Sequence, residues 1–461
     1  MQKAIQALGV GPVQLPDPPK SIGGLDKLPG SLALHGKFPF PEISAVWICD
    51  PHSPRIITIC HPTLYKPTMK NQNFDAFHAT MQAQVDQQFL PGVSTALIRG
   101  RHVVDTFCCG FADKEAGIPL REDHIFRMFS STKLTTSCAI LILIEEKRID
   151  WDDPIEAYIP ELGSLQVLKP GAIRIDDVEP AKTSITIRHL MTHTSGLSYG
   201  LFDPGTTMFD AYNKAEVRHP AKSLSDMMTA LKSLPLSFQP GTQWEYSVAT
   251  DVLGRLVEVV TGESLGQFFA TRIFGPLDMT DTDFWVPEEK LNRLSALYVG
   301  VDLLDPTKPG LLRAGSKPFP GAYTSKPARE SGGGGLVSTL GDTVKFIQSF
   351  LPGGPHLLKR ATIELMCQNH LPAGLCVQFP NMPRFESKGF GLGSSVAIGT
   401  SAWEPTEVVG EIGWGGLAGT IWWINPRIGI AGVLMTQRYF GFGNPYSFVF
   451  KSQAYKALGF N

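Results

Sequence analysis

Apolar positions recur at helical spacing from residue 74 onward. Phe74, Phe77, Met81, Val85 and Phe89 fall on one face, so 73–89 reads as an amphipathic helix that Pro91-Gly92 ends. Two apolar runs, 93–98 and 102–109, flank Arg99-Gly100-Arg101 and read as strand, turn and strand. The next segment, 130–146, is apolar on every side over 139–144. A helix that is hydrophobic all round belongs in the middle of a protein. Further helices are predicted at 187–193, 223–234, 248–261 and 265–273, separated by long loops bearing glycine and proline. Strand signals return near the end: 420–424 and 430–436 flank Asn425-Pro426-Arg427-Ile428-Gly429, a good hairpin turn. Residues 446–458 read as a closing helix.

Strands at both ends of the chain with helices between them predict an α/β fold whose sheet is built from both ends and interrupted by a helical domain. The expected division is a sheet domain of 73–165 plus 331–461 and a helical domain of 166–330. Residues 1–72 stand apart, rich in proline and glycine with little helical periodicity. They read as an N-terminal extension packing on the main body, with 43–49 and 56–60 as candidate strands.

Composition changes this picture little: 461 residues, 43% hydrophobic and 18% charged, describe an ordinary globule able to bury a large core. A net charge of -2 speaks against nucleic acid or an anionic membrane as partner. The longest apolar run, 138–144, is far too short to span a bilayer. The first ten residues lack the longer apolar run of a secretory signal. Seven scattered cysteines (Cys49, Cys60, Cys108, Cys109, Cys138, Cys367, Cys376), with no Cys-x-x-Cys, suit a reduced compartment better than a disulfide scaffold. The expectation is a cytoplasmic protein.

Ser130-Ser131-Thr132-Lys133 is the only Ser-x-x-Lys in the chain. Three residues apart on a helix, the two side chains can meet. A serine hydroxyl is a weak nucleophile until a neighbour takes its proton, and a lysine can do so only if burial or a nearby cation lowers its pKa. The start of an apolar helix supplies that burial and aims backbone N–H groups at a developing oxyanion. The alternative is a helix-capping serine beside a surface lysine. Tyr246, just before the 248–261 helix, could act as a general base near a cation, or be a structural tyrosine in an aromatic loop. Gly413-Trp414-Gly415-Gly416-Leu417 precedes the hairpin. Its glycines would admit a ligand to N–H groups on an edge strand, or simply make a tight turn.

Other motifs carry less. Gly196-Leu197-Ser198-Tyr199-Gly200 matches a nucleophile elbow, but a helix rather than a buried strand leads into it. His189 and His193 stand four apart on that helix, without the glutamate or third ligand of a zinc site. The run 332–335 lacks the Lys-Ser/Thr of a phosphate loop and reads as a flexible turn. No metal or cofactor is expected.

The order Ser130-x-x-Lys133, Tyr246, Trp414-Gly415-Gly416 resembles the serine β-lactamase and penicillin-binding-protein-like superfamily, and within it the class C-like family VIII carboxylesterases. Supporting stretches are 185–197, 246–254, 331–339 and 416–420 with Asn425-Pro426, in the right order over 73–461. The resemblance implies a β-lactamase-like central antiparallel sheet flanked by helices. It implies Ser130 as the acyl-enzyme nucleophile, with Lys133 and Tyr246 sharing the proton work and Tyr246 as base. It further implies the N–H groups of Ser130 and Leu417 as oxyanion hole, and a substrate pocket at Trp414, Gly415, Gly416 and Val248.

Two departures bear on substrate. Val248 stands where class C β-lactamases carry an asparagine, and Trp414 where they carry a lysine. Losing an amide donor and a cation turns recognition away from anionic amides, while an indole suits neutral, apolar esters. The expected activity is hydrolysis of short- to medium-chain neutral carboxylic esters, small molecules being the partners. The alternatives are an acyltransferase using the same acyl-enzyme, a weak β-lactamase or D-aminopeptidase-like activity, and an inactive binding module. The oligomeric state, a homodimer included, stays open.

Overall fold

Strand pairing between distant parts of the chain sets the fold. A computed structural model describes residues 73–461 apart from 303, 304, 316, 317, 320, 355, 381, 402, 403, 442, 443 and 461. The extension 1–72 and its candidate strands 43–49 and 56–60 lie outside the described residues. Eight strands form one sheet: β1 (Gly92–Arg99), β2 (His102–Asp113), β3 (Ile118–Pro119), β4 (Lys388–Phe390), β5 (Ser395–Ala397), β6 (Ile412–Gly415), β7 (Ile421–Asn425) and β8 (Ile430–Met435). Their order across the sheet is β4-β5-β6-β7-β8-β1-β2-β3, and every neighbouring pair is antiparallel. The seam joining the two chain ends is β1 on β8, in register from Ser94 opposite Met435 to Arg99 opposite Ile430.

The helices are α1 (Asp75–Asp86), α2 (Lys133–Glu145), α3 (Ile187–Met191), α4 (Thr207–Lys214), α5 (Leu224–Lys232), α6 (Ala249–Thr261), α7 (Leu265–Phe269), α8 (Leu340–Gln348), α9 (Arg360–Met366) and α10 (Tyr446–Ala457). Period-two alternation splits the strands between two cores. Val93, Leu97, Trp423, Ile430 and Leu434 face α1 and α10, where Phe77, Met81, Phe450 and Tyr455 meet them. Ala96, Ile98, Ile424, Ala431, Val433 and Met435 face the larger core containing α2, α6 and α8. All of 133–143 in α2 is buried. Each buried Ile or Leu there contributes roughly 1.5–3 kcal/mol, which holds the helix rigidly in the interior.

Several boundaries differ from the sequence reading. Ser130 lies in a 3-10 turn, Phe129–Thr132, and the α-helix begins at Lys133. The helix expected over 265–273 ends at Phe269 and relaxes into a π turn, Ala270–Phe274. Helices α4, α8 and α9 and the short strands β4, β5 and β6 are not among the elements expected from the sequence. Segment 332–335 is not a flexible turn: Gly332 and Gly333 are buried, and a Cβ on Gly333 would lie 2.5 Å from Asp251 Oδ2. Trp414 stands on an interior strand: β6 pairs with β7 throughout and with β5 at Ile412 and Gly413, and the tight turn follows at 416–419. Among the described residues no helix is long and apolar enough to cross a membrane.

Candidate active site

Side chains three apart in a 3-10 turn eclipse one another, which brings Lys133 Nζ to 3.4 Å from Ser130 Oγ. Lys133 is only 2% exposed. Its ammonium donates to the Gly333 carbonyl at 2.6 Å and lies 4.7 Å from the ring centre of Tyr246 and 5.5 Å from that of Tyr199. A carbonyl and two ring faces stand in for a counter-ion. The residue before Ser130, Phe129, is held at φ +44, a conformation costing about 1–3 kcal/mol for a bulky side chain. Surrounding bonds impose it. Phe126 and Arg127 pair with Ser338 and Val337. The Met128 N–H donates to Leu336 O at 2.9 Å, and the Leu336 N–H donates to Thr132 Oγ1 at 3.1 Å.

The 331–335 segment is anchored by Asp251, in the first turn of α6 and 5% exposed. Its Oδ1 accepts from Ser331 Oγ at 2.5 Å and from the Gly333 N–H at 3.2 Å. The glycine that presents its carbonyl to Lys133 is therefore held through its own N–H by a buried carboxylate. Nothing in the local sequence marks Asp251 beyond an acid at a helix start.

Tyr246 belongs to an extended segment laced to 193–198. The N–H groups of Gly241, Glu245 and Val248 donate to the carbonyls of Thr194, His193 and Ser198 at 2.7, 3.0 and 3.1 Å. His193 is buried behind Tyr246 with ring centres 5.0 Å apart, and its Nδ1 lies 3.0 Å from Ser247 Oγ. Burial, and then the Lys133 charge, hold its pKa well below the usual histidine value. His189 completes the capping box of α3 with Thr186. Among the described residues no cluster suits a metal ion. Ser198 is fully buried in an irregular stretch, with no strand leading into it. Its segment aligns the Tyr246 backbone.

Burial pushes the Tyr246 phenol well above its ordinary value, while hydrogen bonding with Ser130 and Trp414 pulls it back. Trp414 Nε1 lies 3.3 Å from the phenol oxygen. Rings of Tyr199, Phe202, Phe379 and Trp414 lie 5.3–5.6 Å from that of Tyr246. This aromatic wall is assembled from segments too far apart to predict one another. Opposite it, Gly416 sits where a Cβ would lie 2.1 Å from Met128 O. Among the described residues, the N–H of the next residue, Leu417, has no hydrogen-bond acceptor. Val248 differs from the other pocket candidates: its side chain has no exposed surface and packs in the main core.

Known proteins resemble this chain in sequence and overall fold. The Beta-lactamase family model matches residues 77–446. Esterase EstB of Burkholderia gladioli is 28% identical over 409 residues, 84% of this chain and 98% of that protein. Lovastatin esterase of Penicillium rubens is 32% identical over 336 residues, 68% of this chain and 80% of that protein. The solved structure of EstCE1, described as a hydrolase with promiscuous acyltransferase activity, superposes with a TM-score of 0.68 at 26% identity, covering 82% of this chain and 97% of that one. With the sheet closed from both ends, the central buried helix and a family match spanning nearly all the described residues, the chain belongs to the beta-lactamase family.

Proposed function

We propose that the protein is a serine carboxylesterase that hydrolyses short- to medium-chain neutral carboxylic esters through an acyl-enzyme on Ser130. The observation that carries this reading is the convergence of the Ser130 hydroxyl, the buried Lys133 ammonium and the Tyr246 phenol under an aromatic wall. Ser130 Oγ attacks the ester carbonyl carbon and its proton passes to the ionised oxygen of Tyr246. The adjacent ammonium favours that phenolate when it forms. The N–H groups of Ser130 and Leu417 receive the oxyanion. Collapse of the tetrahedral intermediate breaks the carbon–oxygen bond, and Tyr246 returns the proton to the leaving alcohol. Water repeats the sequence and frees Ser130. Trp414 lines the pocket with an indole, where a cation would be needed to greet an anionic β-lactam or a D-amino acid peptide. Retention of Ser130, Lys133 and Tyr246 together speaks against an inactive binding module.

An acyltransferase would use the same acyl-enzyme and give it to an alcohol, and the likeness to EstCE1 favours keeping that second reading. The free thiols Cys108, Cys109, Cys138, Cys367 and Cys376 suit a cytoplasmic setting. We also propose the division into 1–72, a sheet domain of 73–165 plus 331–461, and a helical domain of 166–330. Hydrolysis of p-nitrophenyl butyrate by wild type, Ser130→Ala and Ser198→Ala tests the assignment. Activity is expected to vanish in Ser130→Ala alone; full activity in that variant would overturn it. Faster turnover with an added alcohol than with water would favour the transferase.

A further inference from the structure

Arg218 lies beside the site and takes no part in the steps above. It follows α4 in a turn and is half-buried. Its guanidinium carbon sits 5.7 Å from the ring centre of Tyr199, the ring that stacks on Tyr246 at 5.5 Å and lies 5.5 Å from the Lys133 ammonium. Burial pushes the phenol of Tyr439 up and the Arg218 charge pulls it back. Tyr439 packs on Phe129, the neighbour of Ser130, at 5.6 Å. The guanidinium thus stands against the Tyr199 ring, on the Tyr246 side of the nucleophile.

This cation is held in position. One of its nitrogens donates to the Gly200 carbonyl at 2.9 Å, which also accepts from Asn213 Nδ2 at 3.0 Å. Arg329 grips the backbone beneath it, donating to the carbonyls of Val217 and Arg218 at 3.2 and 2.9 Å. Among the described residues no carboxylate forms an ion pair with Arg218; the nearby Glu216 is taken by Lys222 at 3.3 Å. A fixed guanidinium with donors to spare suits bidentate capture of a carboxylate. Its side of the site also identifies which part of the substrate it meets. The group that returns a proton to the leaving oxygen must lie beside that oxygen, so the alcohol portion of the ester runs along Tyr246 and Tyr199 toward Arg218.

We infer that Arg218 forms an anion subsite for the alcohol portion, so that esters of hydroxycarboxylic acids, neutral at the scissile bond and anionic at the far end, are preferred substrates. This rests on the Ser130 reading for its chemistry and departs from the neutral esters proposed above by placing a carboxylate at the far end of the alcohol portion.

The test compares 4-(butyryloxy)benzoate with phenyl butyrate, which share an acyl group and differ in the charge of the alcohol portion. The measured quantity is the ratio of their kcat/KM values in wild type, Arg218→Gln and Arg218→Lys. The ratio is expected to fall about tenfold to a hundredfold in Arg218→Gln, mainly through KM for the anionic ester. Arg218→Lys should restore part of it, and 0.5 M sodium chloride should narrow it in wild type. If the two substrates decline in parallel, Arg218 merely supports Tyr199 and the subsite is overturned. Calorimetric titration with 4-hydroxybenzoate reads the subsite without turnover. About tenfold weaker binding to Arg218→Gln than to wild type or Ser130→Ala supports it even if neither ester is hydrolysed, an outcome that would sink the esterase reading alone. Equal binding to all three overturns it.

Discussion

Replacing Gly416 by alanine tests whether the turn after β6 sets the position of the nucleophile. The new methyl carbon would lie 2.1 Å from Met128 O and 2.5 Å from Thr420 Oγ1, well over an ångström inside the 3.4 Å at which ordinary contact begins for the first of them. Gly416 cannot retreat, because its N–H donates to Thr420 O at 2.7 Å and its carbonyl accepts from the Gly419 N–H at 2.8 Å. The strain therefore passes to Met128, whose carbonyl also accepts from the Ser131 N–H and from Thr420 Oγ1, each at 3.1 Å. Met128 moves only by carrying Phe129 and Ser130 with it, or else the turn swings the Leu417 N–H away. A shift of about 1 Å in a reacting group costs roughly 10²-fold, and loss of one oxyanion donor roughly 10²- to 10³-fold. Overpacking adds about 1–3 kcal/mol of destabilisation, which a domain of this size survives. The assay is steady-state hydrolysis of p-nitrophenyl butyrate with circular dichroism and urea unfolding on the same samples. The expected result is a kcat reduced about a hundredfold or more with KM changed only a few-fold. Gly341→Ala is the control, since its methyl carbon would approach nothing closer than 4.0 Å. A Gly416→Ala enzyme within about threefold of wild type in kcat/KM would refute the reasoning.

Two further outcomes follow from the same geometry. Because burial raises the Tyr246 pKa, the phenolate fraction grows about tenfold per pH unit below that pKa. The kcat/KM for p-nitrophenyl butyrate should therefore still be climbing at about pH 9, and a plateau reached by about pH 7 would exclude a buried phenolate as base. Asp251→Asn weakens the hold on Ser331 and Gly333 and should lower kcat by about tenfold to a hundredfold with KM little changed; unchanged kcat beside a lowered urea midpoint would reduce Asp251 to a purely structural role.

What the sequence determined by itself was local and periodic. The all-round apolar stretch after Lys133 forces burial whatever surrounds it, and the spacing of Ser130 and Lys133 brings their side chains together in any helical turn. The apolar runs 93–98 and 430–436, each beside a turn signal, were enough for strands of a sheet covered on both faces. Strands of three or four residues, as in β4, β5 and β6, are too short to carry a period, so Trp414 could not be seen to stand on one. The tertiary structure alone decided the contacts that cost most to leave unmade. It placed a carbonyl of 331–335 on the Lys133 ammonium and a buried Asp251 behind that carbonyl. It also turned the Ser198 segment from a motif into the backing of Tyr246. A buried cation needs partners and an oxyanion needs unpaired N–H groups, but which parts of the chain supply them depends on how the distant strands β1 and β8 close the sheet.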